Sequence, residues 1–377
     1  MAFRKKKVDY YSIRGLLKGY PEAKYYMAVG ERSNGKTYSA LDYALERYYS
    51  NGEQFAYVRR FAEDIRPKHM SQLLSGHVNN GVIDKLSNGQ FINVEYISGK
   101  FFPYIFDSDK QEKTRQEEPI GYAFDLNSSE HFKSTSFPKV TTIIFDEFLS
   151  RRGYLPGEFI LFMNIISTIV RDRSNVKIIM LGNTVNKYCP YFAEMGLSHV
   201  KDQKPGTIDV YNYGVSGLQV VFEYCDPLAK KGGKPSDIYF AFDNPQLQMI
   251  TAGAWEIAIY PHLTTKYRPK DVVTNFFVEF DDELLHGEVI CTDCDYYIFL
   301  HPKTTPIKDD SKDIVYTNRP CQKWNYKLGF AGHTDALTRH IKRMLVENAI
   351  YYSDNETGEI FRNYLEWANQ YSVARGV

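Results

Sequence analysis

The chain has 377 residues, 43% of them apolar, and its 46 basic side chains are balanced by 46 acidic ones. That length suggests two domains with real cores, and the charge balance argues against a uniformly basic nucleic-acid binder while leaving room for a local basic channel. No stretch approaches the ~20 consecutive apolar residues of a membrane helix, and five scattered cysteines with no leader peptide exclude a disulfide framework and point to a reducing interior.

The first feature along the chain is the basic run Arg4-Lys5-Lys6-Lys7. It reads as a solvated terminus, with nucleic-acid or partner contact as the alternative. Residues 25–29, Tyr-Tyr-Met-Ala-Val, are short and apolar, as a buried strand should be. They lead into Gly30-Glu31-Arg32-Ser33-Asn34-Gly35-Lys36-Thr37, a complete G-x-x-x-x-G-K-[ST] phosphate loop. Residues 36–49 then have helical composition. Strand, loop and helix form the setting in which this pattern binds phosphate. Gly30 and Gly35 let successive backbone N–H groups turn inward, and the helix N-terminus adds its dipole. Lys36 is expected to face solvent and reach the β- and γ-phosphates, and the Thr37 hydroxyl is expected to bind Mg²⁺.

Residues 54–58 read as a strand ending in Arg59-Arg60. Residues 91–106 alternate around Ser98-Gly99-Lys100 and predict a β-hairpin. The charge-dense stretch 107–118 reads as an exposed loop, and 119–126 as a strand. Val140-Thr141-Thr142-Ile143-Ile144-Phe145 is a β-branched run ending in Asp146-Glu147. An Asp at such a strand end suits the Mg²⁺ shell, and a neighbouring Glu can deprotonate the attacking water. Apolar residues at helical spacing predict a helix over 157–170. A further strand over 176–181 ends in Gly182-Asn183-Thr184, where Asn183 is placed to sense a γ-phosphate. Strands alternating with helices imply a mostly parallel α/β sheet of the P-loop ATPase type, with an additional strand.

Composition shifts near residue 200. The segments 201–205 and 230–235 look like loop material, and 206–250 reads as a connecting subdomain between an ATPase domain over 1–205 and a third region over 251–377. In that last region strands over 275–280, 287–291 and 296–300 precede helices over 336–348 and 359–371, an α+β pattern. Cys291 and Cys294 form one C-x-x-C, but a zinc site needs a second pair of ligands at suitable spacing. Asp281, Asp282, Glu283, Asp293 and Asp295 are possible metal ligands, yet they do not make a persuasive complete two-metal nuclease set.

The blocks Gln54-Phe55-Ala56-Tyr57-Val58-Arg59-Arg60, Ile143-Ile144-Phe145-Asp146-Glu147-Phe148, Val170-Arg171-Asp172-Arg173 and the Asn183 strand tip, together with the phosphate loop, carry a family resemblance. The chain resembles the DNA-packaging ATPases of small short-tailed phages of the phi-29 type, relatives of terminase large subunits. The resemblance covers roughly residues 20–195 and continues weakly beyond. It implies a homopentameric ring at the capsid portal, ATP and Mg²⁺ as cofactors, double-stranded DNA and the portal as partners, and a scaffold RNA as a further candidate partner. It also implies a place in the host cytoplasm, transiently at the portal vertex of the prohead. Arg171 would act as an arginine finger in the neighbouring subunit's site, with Arg173 as second candidate, and Lys133 would be a further basic residue at the subunit interface. The C-terminal region would be a degenerate RNase H-like nuclease. A headful terminase with a working nuclease, or an ATP-binding assembly switch, remain the alternatives.

Overall fold

The computed structural model describes residues 10–127, 135–150, 153–185, 187–227, 255, 260–292, 295–309, 311–330 and 332–375. The basic run at 4–7, Lys133, Asp293, Cys294 and the loop at 230–235 therefore lie outside the described residues. The chain divides into two compact units, Met1–Glu256 and Ile257–Val377.

The first unit opens with α1 (Ile13–Gly19), β1 (Tyr25–Gly30), α2 (Lys36–Asn51) and β2 (Gln54–Arg59). Three short helices follow, α3 (Pro67–Met70), α4 (Ser75–Asn79) and α5 (Val82–Leu86). Then come β3 (Asn93–Ile97), β4 (Lys100–Asp107), β5 (Glu112–Arg115), β6 (Gly121–Asp125), β7 (Val140–Asp146), α6 (Glu158–Val170), β8 (Lys177–Asn183), α7 (Pro190–Glu194), β9 (Thr207–Tyr213) and β10 (Leu218–Tyr224). The sheet order is β3-β4-β6-β2-β7-β8-β1-β10-β9, with β5 paired to β4. From β6 to β10 the neighbours all run parallel, and antiparallel strands close both sides. The strand β8 lies between the phosphate-loop strand β1 and the acid-bearing strand β7, which is the additional-strand arrangement.

Both faces of this sheet are covered, which explains why its central strands are mostly apolar rather than alternating. Tyr25, Met27 and Val29 pack with Phe162, Ile165 and Ile169 of α6. Tyr26 and Ala28, one residue out of step, pack with Leu41, Ala44 and Leu45 of α2 and with Leu16 and Leu17 of α1. The parallel strands point their carboxyl ends the same way, so Gly30 pairs with Asn183 across β1 and β8, and Asp146 pairs with Leu181 across β7 and β8. The loops after these three strands emerge together.

Two segments differ from expectation. Within 107–118, residues Glu112–Arg115 form β5 in a hairpin with β4; all four are exposed, so no apolar alternation marked the strand. Residues 207–224, expected within a connecting subdomain over 206–250, are instead β9 and β10 of the first sheet, with β10 parallel to β1. The expected hairpin at 91–106 is β3–β4, turned by Ser98 and Gly99 in left-handed conformations.

The second unit is built on β11 (Val272–Phe280), β12 (Glu283–Thr292) and β13 (Asp295–Pro302), an antiparallel meander. It adds β14 (Val315–Thr317), β15 (Tyr326–Leu328), α8 (Ala336–Val346), β16 (Ile350–Tyr352) and α9 (Asn355–Arg375). The order is β15-β14-β11-β12-β13-β16, with β14, β15 and β16 added in parallel. Gly287 in β12 lies under the Phe276 ring, and a Cβ there would come within 2.3 Å of it. Phe276 is fully buried and has no room to retreat. Gly287→Ala should therefore destabilise this unit by about 1–3 kcal/mol, the range for overpacking. Thermal unfolding followed by circular dichroism checks this; a variant that melts with the parent would mean the ring does not seal the glycine.

Candidate functional site

The phosphate loop has the backbone of an anion cradle. Ser33 at φ 59° and Gly35 at φ 97° are both left-handed, and such turns make successive N–H groups converge. Ser33 adopts this conformation against the usual steric preference, which marks a backbone constrained from outside. The N-cap of α2 is Gly35, which has no side chain to cap the helix, so its N-terminal dipole faces the loop. Gly30 is required for a second reason: a Cβ there would lie 2.9 Å from the Cβ of Cys225, which packs behind the loop.

Lys36 corrects one expectation. Rather than facing solvent, it is 6% exposed. Its ammonium donates to the carbonyls of Glu31 (2.7 Å) and Gly30 (3.3 Å) and to Asn34 Oδ1 (3.1 Å), with Asn183 Oδ1 at 3.4 Å. Burial lowers its pKa, opposed by the nearby Cys225, Asp146 and Glu31. Asn34 is likewise buried, and its Nδ2 has no protein partner. A buried ammonium whose hydrogen bonds among the described residues go to neutral oxygens, beside an orphaned amide donor, is a setting that suits an incoming anion.

Opposite the loop, Asp146 ends β7 and is 7% exposed. Its Oδ2 accepts from the Thr37 hydroxyl at 3.0 Å and the Tyr57 hydroxyl at 2.8 Å, and its Oδ1 from the Glu147 N–H at 3.0 Å. Burial and the neighbouring carboxylate push the Tyr57 phenol well above its ordinary pKa, so it stays a donor. Glu147 has φ 58°, and its carboxylate is held by Arg59 Nη2 at 2.8 Å. Arg59 also lies 3.6 Å from Asp64. Burial opposes its charge, but Tyr57 and Glu147 outweigh that, so its pKa is raised and it stays a cation.

Ser33, Asn34, Gly35, Lys36, Thr37, Asp146, Glu147 and Asn183 line one cleft of about 290 Å³. Ser33, Glu147 and Asn183 are shared with a second cleft, lined also by Arg32, Arg59 and Asp64. Gly30 and Glu31 stand behind the loop as holders of Lys36. The cleft thus assembles the expected loop residues, both acids and the strand-tip Asn. The residues that can hold Mg²⁺ are Thr37 and Asp146, whose oxygens already converge. Sequence reasoning missed Arg59 as a cleft residue and Tyr57 as the buried holder of Asp146. Their signal lay in the Phe55–Arg60 block, but their meaning depends on β2 lying beside β7.

Arg171 is exposed and caps α6 with φ 49°, and among the described residues its side chain makes one hydrogen bond, to the Thr135 carbonyl at 3.0 Å. It lines neither cleft of its own chain. Arg173 points inward instead. Its guanidinium donates to the carbonyls of Pro138 (2.9 Å), Val140 (2.7 Å), Phe137 (3.1 Å) and Ile169, a structural peg between α6 and β7.

In the second unit the described candidate acids do not converge. Asp281 accepts from Asn318 at 3.0 Å, and Asp282 pairs with Arg319 at 3.0 Å. Among the described residues, no three His, Cys, Asp or Glu side chains are grouped to hold a metal ion, and no helix is long and apolar enough to cross a membrane.

Comparison with known proteins agrees with this geometry. The family model of the podovirus DNA encapsidation protein (Gp16) matches residues 6–212. The DNA packaging protein of Bacillus phage B103 is 32% identical over 172 residues, 45% of this chain and 47% of that protein. The DNA packaging protein of Bacillus phage phi29 is 29% identical over 170 residues, 44% of each chain. The matched region thus spans about half the length of these relatives, 47% and 44%. The bacteriophage Phi-29 viral genome packaging motor assembly shares the fold at TM-score 0.54 and 19% identity, covering 97% of this chain and 98% of that one. The Phi-28 gp11 DNA packaging motor does so at 0.51 and 17%, covering 98% and 99%.

The contrast between the two arginines is measurable. Arg173→Met removes charged donors from several carbonyls, each such bond being worth roughly 1.5–3 kcal/mol. It should lower the melting temperature by several degrees, at about 2–4 °C per kcal/mol for a unit of this size. Arg171→Ala should leave it within a degree or so. Equal shifts would show that the two side chains share one structural role.

Proposed function

The chain belongs to the podovirus DNA encapsidation protein (Gp16) family, and from that membership and the cleft we infer that it is an ATPase motor that drives double-stranded DNA into a preformed capsid. The observation that carries the reading is the Thr37–Asp146 bond of 3.0 Å beneath an anion-shaped loop, with Glu147 next in the chain. It joins the phosphate side and the hydrolytic side of one cleft. The fold it shares with the Phi-28 and Phi-29 packaging motors supports the same reading.

In this mechanism the loop N–H groups receive the phosphates, and Lys36 exchanges its carbonyl partners for phosphate oxygens. Mg²⁺, held by Thr37 and Asp146, neutralises phosphate charge when bound. Asn183, at the tip of β8, meets the terminal phosphate. Glu147 takes the proton of the attacking water, and to do so it must leave Arg59. Arg171, exposed and outside its own cleft, completes the site of an adjacent copy in a ring, which we take to have five members at the portal vertex. Lys133 is a second basic candidate at that contact. We assign the motor to the unit Met1–Glu256. The unit Ile257–Val377 we assign as a degenerate nuclease-like module that grips DNA, the portal or a scaffold RNA, since Asp281 and Asp282 are engaged by their neighbours.

ATP turnover with and without double-stranded DNA and proheads tests the reading. Lys36→Ala should lose nucleotide binding. Glu147→Gln should bind ATP but turn over about 10²-fold or more slowly, the scale of general-base removal. Normal turnover in either variant removes the assignment.

The arrangement in trans has its own test. Arg171→Ala should bind ATP normally and hydrolyse it about 10³-fold or more slowly, as loss of a finger does. Mixed with Glu147→Gln subunits, it should regain partial activity, because some interfaces then pair an intact Glu147 with an intact Arg171. Co-assembled mixtures that stay inactive would exclude a finger in trans.

A further inference from the structure

Arg60 follows β2 directly and is buried, with its side chain 5% exposed against a Glu158 side chain at 0%. The two meet as a fork: Nε donates to Glu158 Oε2 at 2.8 Å, and Nη2 to Oε1 at 2.9 Å. Glu158 also accepts from the Leu155 N–H at 2.8 Å and the Tyr191 hydroxyl at 2.9 Å. The Tyr154 ring stands over the guanidinium at 5.1 Å. A fully buried ion pair is weak evidence for stability, because apolar residues of similar volume often serve as well. What sets this pair apart is the use of the remaining donors. Nη1 reaches the Glu147 carbonyl at 3.0 Å, and Nη2 the Phe148 carbonyl at 2.6 Å. These are the two carbonyls that follow the cleft acid.

Glu147 needs such a restraint. Its φ of 58° is one that a side-chain-bearing residue avoids. The Asp146 carboxylate holds its N–H from one side. Arg60 holds its carbonyl from the other, and the next residue is fixed by the Phe148 N–H bond to Leu181 at 3.2 Å. The direction in which the Glu147 carboxylate leaves the chain is therefore set by Arg60 as much as by β7.

The anchor of this clamp lies on a particular helix. Glu158 is the first residue of α6, and Arg171 caps its other end. Thirteen helical residues span about 20 Å as one stiff rod.

We propose that the buried Arg60–Glu158 pair is a positioning device for Glu147, seating it on the helix whose far end carries Arg171. The proposal rests on the ATPase reading above. Glu158 lines neither cleft and Arg60 lines only the second; both act through the backbone of Glu147.

The test is steady-state ATP turnover of the full chain, together with nucleotide affinity measured by a fluorescent ATP analogue. Arg60→Met/Glu158→Met removes both charges and leaves none stranded, so the fold is expected to survive. Its kcat should fall at least about ten-fold, a part of the ~10²–10⁴-fold that a positioned general base supplies, while nucleotide affinity stays unchanged. Arg60→Lys keeps the charge but not the fork, and should show the same split between kcat and affinity in a chain of near-parental stability. Added to Glu147→Gln, either change should produce no further loss, since a clamp has nothing to position once the base is gone.

Parental turnover in the folded double variant overturns the clamp. So does a matching loss of affinity, or an additive loss in the Glu147→Gln background. A parent chain that binds ATP but never hydrolyses it overturns the ATPase reading first and the clamp with it.

Discussion

Asp146 sits at the carboxyl end of β7, 7% exposed, and its two oxygens accept from the first turn of α2, from β2 and from its own chain neighbour. One carboxylate therefore fixes the distance between the phosphate loop, the acid strand and the strand that ends in Arg59, just before Arg60. Hydrogen bonds to a charged group are each worth roughly 1.5–3 kcal/mol, and an orphaned buried partner costs about as much again. Removing Asp146 would take away the acceptor of the Tyr57 O–H in a fully buried position and free the Thr37 hydroxyl. The rest of the cleft takes its dimensions from that junction, including how far Glu147 stands from Lys36.

The central strands were legible because a parallel strand buried on both faces is apolar or β-branched along most of its length, as the runs before Gly30, Asp146 and Gly182 are. Glycine placement and the loop motif then identified the phosphate cradle. The burial of Lys36 was not legible. The motif fixes which residue it is, but only the folded loop shows its carbonyls turned inward to take the ammonium. The roles of Tyr57, Arg59 and Arg60 were hidden for another reason. They depend on β2 lying next to β7, and strand order is a property of long-range pairing that no local pattern carries. The same holds for β9 and β10. Half-exposed residues in β9 gave it the look of linker, and its place in the sheet comes from β10 pairing with β1.

The two units solve burial differently. In the first, helices cover both faces of a parallel sheet, and polar chemistry is confined to the strand ends. In the second, a short antiparallel meander leaves acids such as Asp281 and Asp282 at a turn, where Asn318 and Arg319 engage them. Adjacent acids in the sequence, Asp281 and Asp282, are thus turned toward separate partners.

The strand β5 has one more consequence. A ten-stranded sheet that does not close must end somewhere, and an open edge invites pairing with any other extended chain. The strand order ends in β3 and β9, but β5, paired to β4 beside that order, adds an edge of its own: Glu112, Lys113, Thr114 and Arg115, a four-residue strand with every residue exposed and charges of both signs. A strand so short and so hydrated makes a poor template for edge-to-edge aggregation. The stretch that looked least like structure thus helps to keep copies of this chain, crowded together during synthesis, from sticking along that margin before they meet their proper neighbours.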